Sequence, residues 1–434
     1  MQNRQEMSFG EYVKHYLFYL VKWGFMAAVI GLICGLVGAL FYRGVAAAQT
    51  LRTAHPFLLF AMPAAGLLIV FIYRSLHQEG TSTNTVIDAA REGGTISAGL
   101  IPSIFIGTIL THLTGGSAGR EGAALQIGGG IGNNIGRLLH LDRDEMKVAT
   151  MAGMAAFFSA IFGTPLSAAM FVILFISVGS FYEVALLPSY LAALMGLYIS
   201  RFFGAAPFRF KVSAPEMTIP VCLGVMAIAA LAGLVSVVFS EVLIRAGELY
   251  RKFFVNPYLR ILVGAGLVIA ITLIEGSGDY NGAGGAVIEN AVSGGSVVPY
   301  AFLMKILMTA LTLEAGFKGG EIVPTFFIGA TFGAVIGPLL GLPSGFAAAV
   351  GLVAMFAGVT NTVIASVFLA IEVFGGSGIL LFSLASIVSY ACSGYNGLYS
   401  SQRILYSKTR AEYIDVRTNH NPHIRKISFK RRQK

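Results

Sequence analysis

Charge is what this sequence has least of. Asp, Glu, Lys and Arg supply 12% of its 434 residues, against about 25% in a soluble globular protein. With 56% hydrophobic residues, 53 glycines and a mean hydropathy of +0.75, the chain is an integral membrane protein. A span needs roughly 20 residues, which leaves room for around a dozen full or partial crossings and no large soluble domain. Cysteine is scarce too. Cys34, Cys222 and Cys392 are scattered among apolar runs, which excludes a disulfide framework and a metal spacing. The seven histidines form no His-x-x-x-His pair, and the glycine runs lack the Lys-Ser/Thr of a phosphate-binding loop. No metal or cofactor is expected.

The net charge of +9 is local. Ten basic residues between Arg403 and Lys434 stand against Glu412 and Asp415, giving the tail +8 and leaving +1 for the rest. A nucleic-acid partner is therefore not expected. Basic residues beside the last apolar segment place the C-terminus in the cytoplasm by the positive-inside rule. Residues 1–22 mix Arg4, Glu6, Glu11, Lys14 and Lys22 with aromatics. They lack the short charged start and small-residue exit of a cleavable signal and read as a cytoplasmic amphipathic helix. The expectation is a multi-pass protein of the cell membrane with both termini inside and an even number of crossings.

Comparing the halves reveals a duplication. Gly35-Leu36-Val37 with Phe41 recurs as Gly233-Leu234-Val235 with Phe239, Val86-Ile87-Asp88 as Val287-Ile288-Glu289, and Gly119-Arg120-Glu121 as Gly319-Gly320-Glu321. The chain divides into the N-terminal segment 1–22, a first transmembrane repeat 23–205, a second 219–402 and a basic cytoplasmic tail 403–434. Duplicated halves with glycine-broken helices mark transport folds with a midplane site. An inverted repeat satisfies the parity of the termini, as does a parallel one.

Four stretches carry chemistry. Residues 80–85 (Gly-Thr-Ser-Thr-Asn-Thr) read as a helix start whose free N–H groups favour an anion; a surface cap is the plainer alternative. In Gly119-Arg120-Glu121-Gly122 two ionisable residues lie between membrane segments, where each costs at least ~2.5–3.5 kcal/mol and is functional by default. Adjacent helix positions point apart, so Arg120 and Glu121 are poorly placed to neutralise each other. Gly319-Gly320-Glu321-Ile322-Val323-Pro324 puts a second carboxylate at a helix start, with glycines that let backbone N–H groups approach a small ligand. Gly394-Tyr395-Asn396-Gly397-Leu398-Tyr399-Ser400 precedes the basic tail, and a tyrosine there is either an anion donor or an interface tyrosine. Together these describe a dehydrated anion site gated by protonation. Asp279, Glu289, Glu314 and Glu372 are equally well explained as helix ends or structural pairs.

The same segments resemble the CLC family of chloride channels and anion/proton antiporters, over nearly the whole chain. Gly119-Arg120-Glu121-Gly122 is similar to the family's gating motif, with Ala123 in place of the usual Pro. The 319–324 segment resembles its second anion-binding motif, Leu398-Tyr399-Ser400 its site tyrosine, and Ser82 its filter serine. The resemblance implies an all-α membrane fold of two inverted-topology repeats and a homodimer with one pathway per subunit. It implies Glu121 as the gating, proton-accepting carboxylate, and Ser82, Tyr399 and the backbone of Gly320, Glu321 and Ile322 as anion ligands. Gly119, Arg120, Gly122, Gly319 and Pro324 would shape the motif. Antiporters of the family carry an inner proton-relay glutamate where this chain has Phe175, whereas Glu321 resembles the fluoride-exporting branch, in which it is implicated in proton coupling. The expected function is movement of chloride or fluoride across the bilayer in exchange for protons, with Glu321 assisting. A passive chloride channel of the same fold is the alternative. An intramembrane enzyme using the two glutamates as an acid/base pair is remote, and no enzyme activity is expected.

Overall fold

The computed structural model describes residues 8–419; the basic residues from Arg425 to Lys434 lie outside them. Helices dominate, and they come in two sets of eight. The first set is α1 (Phe9–Ala54), α2 (Met62–Ser75), α3 (Thr83–Glu92), α4 (Leu100–Leu113), α5 (Glu121–Leu138), α6 (Arg143–Phe162), α7 (Pro165–Ile176) and α8 (Leu186–Phe202). The second is α9 (Ile219–Phe253), α10 (Pro257–Glu275), α11 (Gly285–Val292), α12 (Ala301–Leu313), α13 (Ile322–Ile336), α14 (Ser344–Thr360), α15 (Val363–Phe374) and α16 (Ile379–Cys392). Six helical stretches are long and apolar enough to cross a membrane, while seven further apolar helices have only 10–17 residues. Such partial helices are tolerated at membrane depth only when their ends are buried in protein or face a polar cavity.

The two sets pack alike. α1 lies on α6 and α8 as α9 lies on α14 and α16, and α5 lies on α6 as α13 lies on α14. Elements near the axis touch their own counterparts: α2 on α10, α5 on α13, α7 on α15. This is the arrangement of two inverted repeats.

The repeated glycines explain the close packing. Gly35 sits against Gly196 and Ile199 of α8, and Gly233 sits against Ser389 and Cys392 of α16. Gly128 and Gly153 press backbone to backbone where α5 crosses α6, and Gly329 and Gly351 do so where α13 crosses α14. A Cβ on any of these four would overlap the partner's carbonyl. Lipid gives helices no hydrophobic reason to associate, so small residues that permit close van der Waals contact do that work.

Three features differ from the sequence expectation. Residues 9–22 are not a separate amphipathic helix but the first turns of a continuous 46-residue α1, about 69 Å long at 1.5 Å per residue. Ser8 and Glu11 start it with a capping box, and Lys22 is paired with Glu145 of α6, so the charge that breaks the hydropathy does not break the helix. The structure is also not wholly α. Residues 403–417 fold into β2 (Arg403–Tyr406) and β3 (Tyr413–Arg417), and β2 pairs in parallel with β1 (Ser177–Val178), just after α7. The start of the basic tail is thus pinned to the body, with Arg403 bonded to Asp415 at 3.0 Å. Finally, α3 and α11 are too short and mixed in polarity to stand out as apolar segments.

Candidate functional site

The two repeats meet through a pair of glycines. The Gly119 N–H donates to the Gly320 carbonyl at 2.7 Å, and the Gly320 N–H donates to the Gly119 carbonyl at 2.8 Å, an isolated antiparallel bridge. Pro324 lies over Gly119, and the Gly319 carbonyl and Gly320 Cα lie over Gly122, so a Cβ at 119 or 122 would crowd them. Pro324 costs nothing here, because it occupies the first turn of α13, where an N–H has no helical partner. The bridge aims the starts of α5 and α13 at one spot, and each start has unpaired N–H groups and a positive dipole end.

The bridge also corrects the repeat register. A residue on a pseudo-two-fold axis pairs with its own mate, so Gly119 corresponds to Gly320, an offset of 201. The helix starts agree (121 and 322, 143 and 344). Glu321 therefore corresponds to Arg120, the N-cap of α5, and Glu121 corresponds to Ile322. The two glutamates are neighbours in space without being repeat partners.

Glu121 is fully buried. Its Oε2 accepts the backbone N–H of Arg120 at 2.9 Å and that of Val323, in the first turn of α13, at 3.3 Å. A carboxylate thus sits on donors that would suit an anion. Oε1 has no hydrogen bond among the described residues. The Arg120 Nε stands 3.9 Å from Oε1, while its guanidinium lies over the Tyr42 ring, 4.7 Å from the centroid. Against the sequence expectation, Arg120 and Glu121 are thus close enough for a long ion pair, because Arg120 is the N-cap of α5 and not a residue of its first turn.

Glu321 caps α13. Its Oε2 accepts the Tyr399 hydroxyl at 3.1 Å and lies beside Gly122, 3.2 Å from where a Cβ would stand. The Tyr399 ring meets Phe175 edge-on at 5.0 Å, and Phe175 stacks on Phe171 at 4.7 Å. Phe175 is fully buried, so an apolar wall closes this side of Tyr399. Gln402 holds this wall by donating to the carbonyls of Phe175 and Thr360 at 2.8 and 2.7 Å.

Residues 80–85 do open a helix, with Ser82 as its N-cap. The serine is exposed and exchanges capping contacts with Thr85; no contact joins it to Tyr399, Glu121 or Glu321. Its neighbours tie α3 to the segment after Tyr399 and to α5. Asn84 accepts the Ser401 N–H at 3.0 Å, and Asp88 accepts the Ser401 hydroxyl at 2.7 Å. The buried Thr83 hydroxyl accepts from Gln126 of α5 at 3.1 Å. Sequence reasoning placed Thr83 and Asn84 in a helix start without their partners and missed Gln126, whose one signal was a lone Gln inside the apolar run 123–127. Of the remaining carboxylates, Glu372 accepts the Leu166 and Ser167 N–H groups at the start of α7, at 3.0 and 2.8 Å, and is a structural cap.

Residues 65–394 match the family described as Voltage gated chloride channel. A chloride/fluoride channel protein of Pseudomonas syringae pv. tomato is 33% identical over 402 residues, covering 90% of this chain and 88% of that one. An H+/Cl− exchange transporter of Yersinia pestis is 27% identical, covering 80% and 79%. Among solved structures, a CLC-type fluoride/proton antiporter aligns with TM-score 0.85 and 32% identity over 92% of this chain and 100% of that one. A slow cyanobacterial Cl−/H+ antiporter aligns with TM-score 0.73 and 17% identity over 85% and 93%, a likeness of fold. A bridge joining two helix starts, a carboxylate lying on the donors of one of them and a tyrosine beside it thus stand in a chain that belongs to the CLC family, the voltage gated chloride channels.

Proposed function

We propose that this protein exchanges halide for protons across the cell membrane, with fluoride the preferred anion and chloride the second. The observation that carries this reading is the Glu121 carboxylate on the backbone donors of Arg120 and Val323. An ionised carboxylate accepts such bonds about twice as strongly as a neutral acid. Protonation therefore loosens Glu121 from its donors, and a halide takes them over. Deprotonation expels the halide and returns the carboxylate. One group cannot hold both its charge and the anion at that position, so the two fluxes are coupled.

Glu321 supplies a second proton position. Its bond to the Tyr399 hydroxyl offers a path between carboxylate and phenol, and the Phe171–Phe175 stack keeps water from the position where other antiporters of the family carry a glutamate. The preference for fluoride rests on Glu321 and on the relatives named for fluoride. Backbone N–H groups of Glu321 and Ile322 complete the anion site, whereas the expected Gly320 N–H is taken by the Gly119 carbonyl of the bridge; Ser82, exposed at the start of α3, lines an approach to the site instead of holding the central ion. Gly119, Gly122, Gly319 and Pro324 keep the two helix starts together, while Arg120 anchors on Tyr42. The family resemblance supports a homodimer with one pathway in each subunit, and the positive-inside rule supports cytoplasmic termini.

Parallel fluoride, chloride and proton fluxes in liposomes test this. A halide gradient should drive protons, and Glu121→Gln should abolish proton movement while halide still flows. Proton movement that survives the substitution removes Glu121 from its role. Wild-type halide flux that never drives protons makes the protein a passive channel, the reading that Phe175 favours.

A further inference from the structure

A cavity of about 780 Å³ lies where the end of α1 meets the connection from α10 to α11, lined among others by Gln49, Arg52, Thr53, Asp279 and Asn281. It is on the Gly119 side of the bridge, at the opposite end of α1 from Lys22 and the tail sheet. The Arg52 Nε is buried without a hydrogen bond, and the guanidinium makes no ion pair among the described residues. Its two terminal nitrogens face Gly278 and Gly282, and the Nδ1 of His112 and Nε2 of Gln49 turn toward the same Gly282.

These donors lead to the gate. Gln49 Nε2 lies 3.4 Å from His112 Nδ1, and His112 Nε2 lies 3.4 Å from the Gly119 carbonyl of the bridge. With Nε2–H donating to Gly119, Nδ1 is left to accept from Gln49, and a buried neutral imidazole is satisfied at both nitrogens. Beneath the cavity floor Lys305 is fully buried. Its ammonium donates to the carbonyls of Tyr280 and Gly282 at 3.0 and 2.7 Å and lies over the Phe327 ring at 5.1 Å, with no carboxylate against it. Asn281 ties the loop to Gly115 at 2.7 Å. On the cavity wall only Asp279, exposed, opposes these two cations. Two cations short of counter-ions on a polar recess, joined to the gate through one histidine, make a place for a small anion.

We infer that this recess is a receiving site for the permeant halide, in which Arg52 and Gln49 bind the anion before it reaches Glu121. The inference rests on the transport reading above. It gives Arg52 a positioning role: the cation concentrates anion at the mouth and takes no part in proton transfer. Part of the cavity wall is apolar, with Phe57, Phe60 and Leu273, so the phosphate of a lipid headgroup is the competing occupant. The continuity from Gln49 through His112 to Gly119 favours the halide.

Halide-dependent flux in liposomes of neutral phosphatidylcholine tests the site. Arg52→Gln should raise the apparent KM for halide roughly 3- to 10-fold, with Vmax and the proton-to-halide ratio unchanged. Arg52→Lys should restore most of the affinity, and Asp279→Asn should lower KM. Both charge effects should shrink in high inert salt. An unchanged KM for Arg52→Gln overturns the proposal, and so does a fall in Vmax alone. An effect that appears only when phosphatidylglycerol is added assigns Arg52 to lipid and also overturns it. If the wild type carries no halide flux, the transport reading falls by itself. Calorimetric titration of sodium fluoride and sodium chloride into wild type and Arg52→Gln then decides the site: a binding step lost in the variant supports it, and identical isotherms refute it.

Discussion

Replacing Glu121 by alanine should tighten halide binding, because it removes a tethered competitor from the site. The carboxylate accepts two backbone N–H bonds, at 2.9 and 3.3 Å. Hydrogen bonds to a charged group contribute about 1.5–3 kcal/mol each, and the longer one falls at the low end, so about 3 kcal/mol holds the gate on its donors. At 1.4 kcal/mol per tenfold, the donors are free in roughly one molecule in 150. A ligand that needs the free state binds weaker by that fraction. Part of the 3 kcal/mol is offset by the cost of burying the carboxylate itself, which brings the expected tightening in Glu121→Ala to about 10- to 100-fold. Glu121→Gln keeps the size but makes only neutral hydrogen bonds of about 1 kcal/mol, and should fall between wild type and alanine. Calorimetric titration of fluoride and chloride into the detergent-solubilised protein reads this order directly. Equal affinities in all three proteins, within a factor of two, would refute the idea that the carboxylate and the anion share donors.

Three further outcomes follow from the geometry. Tyr399→Phe removes the one side-chain donor to the Glu321 carboxylate among the described residues, a bond worth about 1.5–3 kcal/mol if the carboxylate is charged. Proton-coupled halide exchange should slow by roughly 10- to 100-fold without loss of fold, and an unchanged rate would take the hydroxyl out of the pathway. Gly128→Leu and its counterpart Gly329→Leu each drive a side chain into a facing backbone; both should cost about 1–3 kcal/mol or more in thermal unfolding, by similar amounts, and a tolerated leucine at either would break the packing account. Lys408, in the turn between β2 and β3 and outside the spanning helices, donates to Asn361, Tyr390 and Ser393, and burial pulls its pKa down to about 7. Unfolding returns that pKa to about 10.4, so the unfolded chain holds more protons between these values and stability should rise with pH from about 7 to 10. Below pH 7 both states are protonated and this contribution is flat. Melting curves of wild type and Lys408→Met across pH 6 to 9 should diverge in slope; parallel slopes would contradict the burial effect.

The sequence made the membrane class, the duplication and the two glutamates legible because each is written in residue type. Few charges survive at membrane depth without a reason, so Glu121 and Glu321 stood out at once. What stayed hidden depends on neighbours distant in the chain. The apolar wall of Phe171, Phe175 and Tyr399 spans 228 residues of sequence (171 to 399), and phenylalanine looks the same there as against lipid. Ser82 matched a pattern of hydroxyls, yet it stands exposed as the N-cap of α3, with the Thr85 hydroxyl accepting its N–H. β2 and β3 are four and five residues long, too short for a period-two pattern to register. Lys22 broke the hydropathy of α1, but its partner Glu145 sits 123 residues away.

The repeat register shows most clearly what identity matching cannot see. Aligning glutamate with glutamate gave an offset of 200, whereas the backbone demands 201. One residue on a helix is a rotation of about 100°, and here it separates two chemistries. Glu121, at the first helical position, turns across the bridge onto the α13 donor of Val323. By the same symmetry a glutamate at its true counterpart, 322, would reach the N–H of Gly122 and cover the start of α5. Both helix starts would then be closed by carboxylates that repel each other, and an anion would face two gates opening together. Ile322 supplies no carboxylate to the Gly122 N–H, and the carboxylate one position earlier, beside Gly122, accepts the Tyr399 hydroxyl. Near-symmetric backbones thus present one glutamate to the anion's donors and the other to a phenol. On the proposed function, a gate and a proton relay differ by a single step of helix register.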